Sequence, residues 1–243
     1  MLPMKDKKNL LTRSNLRDIV IICSFVSSAI FNLSVAAEAV GFCLLAIGCF
    51  LHIVAKGVLI RNVVLCDRGI YAIVRHPYYL ANYLIDSSFC VLSGNPYLIA
   101  AYPLLFFWAY GPTIRNEEKF LASKYRDSFQ DDSFNIPQVF PDRASLKGWR
   151  GLFQGFSFSR VTLKERARVA RFCSAGFAIM LVQAVNLRQL RPLFYPTRTD
   201  YDEFTFMVLA AVFLLVSIVF VLMDRSYRAE RDNRYLDTKS LAQ

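Results

Sequence analysis

The stretch GIYAIVRHPYYLAN, Gly69–Asn82, sets an arginine, a histidine and three tyrosines at the start of a long apolar run. Hydrocarbon does not solvate such groups, so their position relative to a membrane decides how the chain folds. The run that follows, Tyr78–Ser93, carries one charge, Asp86. Working outward, the uncharged blocks are Ile19–Ala37 and Ala39–Ala55 before it, and Pro96–Ile114, Phe172–Leu187 and Phe204–Met223 after it. With 55% hydrophobic residues and a mean hydropathy of +0.33, the chain is too apolar for an ordinary soluble domain. A hydrocarbon core of about 30 Å is crossed by roughly 17–25 helical residues. The pattern predicts an all-α integral membrane protein of about six transmembrane helices. The third is the shortest, about 24 Å by helical rise, which leaves tilt, local thinning or re-entrance open.

Six spans put both termini on one side. The segments before Ile19, from Lys56 to Arg75, from Arg115 to Arg171 and after Met223 hold 26 of the 29 Lys and Arg residues. The other side keeps Arg188, Arg191 and Arg198. Basic residues collect in short cytoplasmic loops, so both termini and the Arg75–His76 motif are expected to face the cytoplasm. Nothing separates a bacterial inner membrane from the endoplasmic reticulum. The net charge of +10 then reads as topology and contact with anionic lipid headgroups, not as nucleic-acid binding. Lys5, Lys7 and Lys8 before the first block, and Ala37-Glu38-Ala39 after it, have the outline of a signal peptide. The length of the block, with a second span directly behind it, favours an uncut helix.

The six cysteines lie within the apolar spans or on their cytoplasmic side, without zinc-ligand spacing. With two histidines, His52 and His76, a multi-histidine metal site is excluded, and no metal is expected. No GxGxxG, P-loop or GxSxG string occurs. The pattern changes near residue 143: residues 1–143 carry four spans and the polar motifs. Residues 144–243 form an extension with an aromatic segment, GWRGLFQGFSFSRV, and two further spans. Trp149, Phe153, Phe156 and Phe158 suit the headgroup level, and Arg225, Arg228, Arg231 and Arg234 form a basic stripe beside the last span.

Pro77 suits the first turn of a helix, which leaves Arg75 and His76 in the approach loop. Tyr79, Asn82, Tyr83 and Asp86 recur at i, i+3, i+4 and i+7, so one face of the helix is polar and belongs in a protein interior or wet cavity. Hydrogen bonds from Asn82 and Asp86 to a neighbouring helix would explain that pair equally well. A second cluster, Arg115, Glu117, Glu118 and Lys119, stands where the fourth span meets the cytoplasm. The short Ser93–Pro96 turn makes a hairpin of spans three and four, which brings Arg75 and His76 near Glu117 and Glu118. Singly, each of these charges reads as a solvated helix end; their pairing on one hairpin does not.

The Gly69–Asn82 motif, the Asn-Pro turn and NEEKFLASKYRDSF, within residues 56–141, resemble the isoprenylcysteine carboxyl methyltransferase family and its phospholipid-methyltransferase relatives. The family glycine after the motif tyrosine is Ala81 here. The resemblance implies an enzyme with a cytoplasm-facing active site at the hairpin, using S-adenosyl-L-methionine to methylate a membrane lipid or lipidated acceptor. It implies cofactor contacts from Tyr71, His76, Tyr79, Glu117 and Glu118. Arg75, through its planar fork, would hold an anionic acceptor, with Asn82, Tyr83 and Arg115 beside it, and Arg75 and Glu118 would act in catalysis. A phospholipid N-methyltransferase, an NADPH-dependent sterol-type reductase and a non-enzymatic transporter or scaffold are the other readings. The acceptor's identity and the oligomeric state are not legible.

Overall fold

The structure is a computed structural model that describes residues 13–59, 68–124, 136–194 and 203–240. Among these are six α-helices: α1 (Arg13–Ser28), α2 (Val35–Val58), α3 (Pro77–Leu92), α4 (Pro96–Lys124), α5 (Leu163–Phe194) and α6 (Glu203–Ser240). Between them, among the described residues, lie short 3₁₀ helices at Gly69–Ala72, Ser145–Gly151 and Phe158–Arg160. No strand occurs among the described residues, in keeping with the all-α expectation.

By length and composition, four helices can cross a membrane: Val35–Val58, Pro96–Lys124, Leu163–Val185 and Met207–Glu230. Helices α1 and α3, with 16 residues each, rise about 24 Å and fall short of a core of about 30 Å. The first apolar block, Ile19–Ala37, is not one helix. Helix α1 ends at Ser28, whose hydroxyl donates to the Phe25 carbonyl at 2.7 Å. Helix α2 starts afresh at Val35, where Ser34 Oγ accepts from the Ala37 N–H at 3.2 Å. Serine and asparagine offer the backbone these local bonds and stop a helix without any charge. Helix α1 also begins earlier than the apolar block and takes in Arg17.

The α3–α4 hairpin has a clear local cause. Gly94 turns the chain at φ +69°, and Asn95 then caps α4, its Oδ1 accepting from Tyr97 N–H at 3.0 Å and Leu98 N–H at 3.3 Å. Pro96 occupies the first helical position, where no N–H is needed.

Helix α3 lies at the centre of the bundle, in contact with α1, α2, α4 and α5. Its fit against α2 depends on small residues. A Cβ added at Gly48 would stand 3.0 Å from the Ile85 nitrogen and 3.1 Å from the Ala81 carbonyl oxygen. One hydrophobic core runs across residue 143, joining Ile85 and Phe89 of α3 to Phe172, Ile179 and Met180 of α5. At the end away from the motif, Gln183 of α5 donates to the carbonyls of Phe31 and Ser93, tying the α1–α2 and α3–α4 turns together. Helix α6 packs along α5, with Ser174 and Ser217 hydroxyls 2.8 Å apart.

At the motif end, the aromatic segment closes over α2. Arg160 Nη1 donates to the carbonyls of Gly57 (3.2 Å) and Gly155 (2.8 Å), satisfying a carbonyl left open by the helix terminus. The Phe156 ring lies on Gly57, whereas Trp149, Phe153 and Phe158 are exposed. Gly69 adopts φ +61°, and a Cβ there would fall 2.7 Å from the Gln154 carbonyl oxygen, so glycine alone fits.

Candidate active site

Residues 75 and 76 approach α3 without helical geometry, as a following proline demands. Their backbone N–H groups donate to the carbonyls of Pro137 and Gln138, both at 2.8 Å, which fixes the loop before the helix begins. Two side chains are thereby aimed at α4. Arg75 Nη1 lies 2.9 Å from Glu118 Oε2, and His76 Nε2 lies 2.6 Å from Glu118 Oε1. Glu118 thus engages both residues, one through each oxygen. One turn into α3, the Tyr79 hydroxyl donates to Glu117 Oε1 at 2.7 Å, and His76 Nδ1 stands 3.8 Å from Glu117 Oε2. The imidazole is therefore shared between two carboxylates.

Exposure grades across the group. His76 and Tyr79 are buried, Arg75 and Glu118 are partly buried, and Glu117 keeps 46% of its side chain open. Glu117 and Glu118 do not stand at a helix end: α4 continues to Lys124, so the carboxylates project from a formed helix, which holds them more firmly than a frayed terminus would. Arg75, His76, Tyr79, Glu117 and Glu118 form one contact set. The other residues singled out from sequence are placed differently. Tyr71 turns to α2, its hydroxyl donating to the Ala55 carbonyl at 3.3 Å. Tyr83 packs its ring against Tyr102, Phe106 and Phe140, with centroids 5.0 to 5.5 Å away. Arg115 is exposed on α4. Asn82 is buried with its Oδ1 lacking a partner among the described residues.

Asp86 finds the neighbouring-helix partner that a buried carboxylate needs. Arg17 Nε of α1 donates to its Oδ1 at 2.8 Å, and the Tyr102 hydroxyl donates to its Oδ2 at 3.1 Å. Arg17 also reaches the Tyr110 hydroxyl at 3.4 Å, and the Tyr110 ring stands edge-on to Tyr79 at 5.5 Å. An aromatic contact thus joins the motif to this buried polar group. The basic-residue pattern places Arg17 in the segment before the first apolar block, whereas the structure puts it inside α1. The lone acid in an apolar span was the available signal that a basic partner lay elsewhere.

A further polar cluster went unforeseen. Between α2 and α5, His52 Nε2 lies 3.1 Å from Glu165 Oε2, and Arg168 Nη1 is 2.8 Å from the same oxygen. His52 lies inside an apolar span, and its Glu165 partner 113 positions away gives no signal in the sequence. The five described cysteines are free thiols; Cys66 lies outside the described residues, as do the side chains of Arg188, Arg191, Arg198, Arg231 and Arg234.

The model of the isoprenylcysteine carboxyl methyltransferase (ICMT) family matches residues 22–123. That range takes in α2, the Arg75–His76 motif, α3 and both glutamates, and it begins earlier and ends sooner than residues 56–141, whose motifs carry the resemblance. No curated protein and no solved structure gives a significant match. The family match supports the resemblance and a membrane methyltransferase of the ICMT kind.

Proposed function

We propose that the protein transfers a methyl group from S-adenosyl-L-methionine to a lipophilic, membrane-resident acceptor, with a prenylated-cysteine type of carboxylate as the favoured class. The observation that carries this reading is His76 held between Glu117 and Glu118 at the mouth of α3, inside the range matched by the family. The residues fit such a cofactor. The half-exposed Glu117 carboxylate can accept from amino or hydroxyl groups, and Asn82 Oδ1 is a buried acceptor without a partner among the described residues. S-adenosylmethionine, when bound, supplies an electrophilic methyl on a sulfonium. His76, Tyr79 and Glu117 form the cofactor side, and Arg75 holds the acceptor's anion. Glu118 keeps Arg75 and His76 in fixed relation, so positioning and exclusion of water supply the rate. A carboxylate acceptor brings no proton to remove, so the pairs need not break to create a general base.

In the same reading, α1 and α3 cross with the four longer helices, their shortfall met by tilt or local thinning. Both termini and the site then face the cytoplasm, where a water-soluble cofactor and an amphiphile held in the bilayer can meet. Titration calorimetry of detergent-purified protein with S-adenosylmethionine, its demethylated product and NADPH tests the reading. Binding of the first two supports it; binding of NADPH alone replaces it with a reductase, and binding of none leaves a transporter or scaffold. Lipid extracts incubated with methyl-labelled cofactor then separate carboxylate from amine acceptors by mass.

A further inference from the structure

Tyr78 is a motif tyrosine that the proposed site leaves unused. It shares the first turn of α3 with Tyr79, but its hydroxyl meets α5 where that of Tyr79 meets α4. Arg168 of α5 donates to the Tyr78 hydroxyl and, through the same Nη1, to Glu165 Oε2 at 2.8 Å. Glu165 is buried, and a carboxylate so placed must be matched by donors. His52 Nε2 supplies one at 3.1 Å, and Lys56 Nζ stands 3.8 Å from Oε1 and 4.1 Å from the Tyr78 ring centroid. The His52 ring itself lies 4.6 Å from that of Tyr78. Three basic groups thus hold Glu165, Glu165 orients the Arg168 guanidinium, and its Nη1 holds Tyr78.

What holds Tyr78 also holds its neighbours. The N–H groups of Tyr79 and Leu80 both donate to the His76 carbonyl, at 3.0 and 3.3 Å, so residues 76–80 move as one hydrogen-bonded turn. Pro137 and Gln138 fix that turn from the loop side. We propose that Glu165 and Arg168 are positioning residues for the candidate methyl-transfer site: acting through Tyr78, they set the seat of His76 and Tyr79 and make α5 a working part of the site. Both residues lie beyond the range matched by the family. The functional consequence rests on the methyltransferase reading; the positioning itself does not. The competing role for the cluster is to staple α2 to α5.

Tyr78→Phe removes the hydroxyl and keeps the ring, and Arg168→Lys keeps a charge for Glu165 on a shorter side chain that withdraws the donor from Tyr78. Amide hydrogen exchange of the full-length protein in detergent should speed up about tenfold in the peptide spanning residues 76–80 for either variant, the size of one lost hydrogen bond. Labelled methyl transfer should show kcat lowered by a similar factor with KM little changed, and the double variant should be no worse than either single one. Unchanged exchange in that peptide overturns the positioning role, even if the melting temperature falls, since the cluster then only joins helices. A wild-type protein that neither binds S-adenosylmethionine nor transfers methyl groups overturns the functional reading instead, and the exchange result still decides the positioning.

Discussion

His76 Nε2 lies 2.6 Å from Glu118 Oε1 across 42 positions of chain, and Arg75 Nη1 reaches the second oxygen of the same carboxylate at 2.9 Å. The two glutamates therefore differ in kind. Glu118 is enclosed by two basic partners, while Glu117 is half open and accepts from one tyrosine. Glu117→Gln keeps an oxygen for the Tyr79 hydroxyl and should move unfolding stability by no more than about 0.5 kcal/mol. Glu118→Gln leaves Arg75 and His76 short of a charge and should cost about 1–3 kcal/mol. Both should weaken S-adenosylmethionine binding. Thermal unfolding of the apo proteins beside calorimetric titration separates the two effects, and equal stability losses would contradict the difference in enclosure.

Arg75→Lys retains the charge facing Glu118 but loses the planar fork. Turnover should fall by about a hundredfold through misplacement of the acceptor, with cofactor affinity little changed. Wild-type turnover removes Arg75 from the acceptor, and a loss confined to cofactor affinity moves it to the other side of the reacting methyl.

The buried pair of Arg17 and Asp86 joins α1 to α3, with Tyr102 and Tyr110 completing its hydrogen bonds. Removing one partner strands a charge: Arg17→Met and Asp86→Leu should each destabilise the protein by about 3–5 kcal/mol. The double substitution should recover much of that loss. Thermal unfolding in detergent reads all three, and single variants as stable as the wild type would show that the pair does not hold the bundle.

Gly69 is required by both its positive φ and the approach of the Gln154 carbonyl. Gly69→Ala should cost about 1–3 kcal/mol and loosen the Ser145–Gly151 turn that packs beside it. Limited proteolysis within residues 145–160, compared with wild type, measures the loosening; identical cleavage would show that the contact is slack.

The proposed topology rests on the distribution of basic residues and is tested at opposite ends of the bundle. In a background without native cysteines, Lys147→Cys should resist a membrane-impermeant thiol reagent applied to intact cells, and Tyr97→Cys, beside the α3–α4 turn, should react. Labelling at 147 alone would invert the arrangement. Thr197, another position expected outside, lies beyond the described residues.

The sequence by itself determined the all-helical, membrane-spanning character and the meeting of Arg75 and His76 with the two glutamates. Both depend on local physics: apolar blocks of sufficient length, and an Asn-Pro cap that folds α3 back against α4 so that contacts far apart in number become neighbours through one tight turn. The end of α1 at Ser28 was hidden, because freedom from charge does not distinguish a continuous helix from one stopped by serine and asparagine. Tertiary structure alone decided which charges neutralise one another inside the bundle. Arg17 meets Asp86 across 69 positions, and His52 meets Glu165 across 113. Periodicity shows that a buried acid or imidazole needs a partner; only the packing of one helix against another, through small residues such as Gly48 and Ala81, selects the side chain that reaches it.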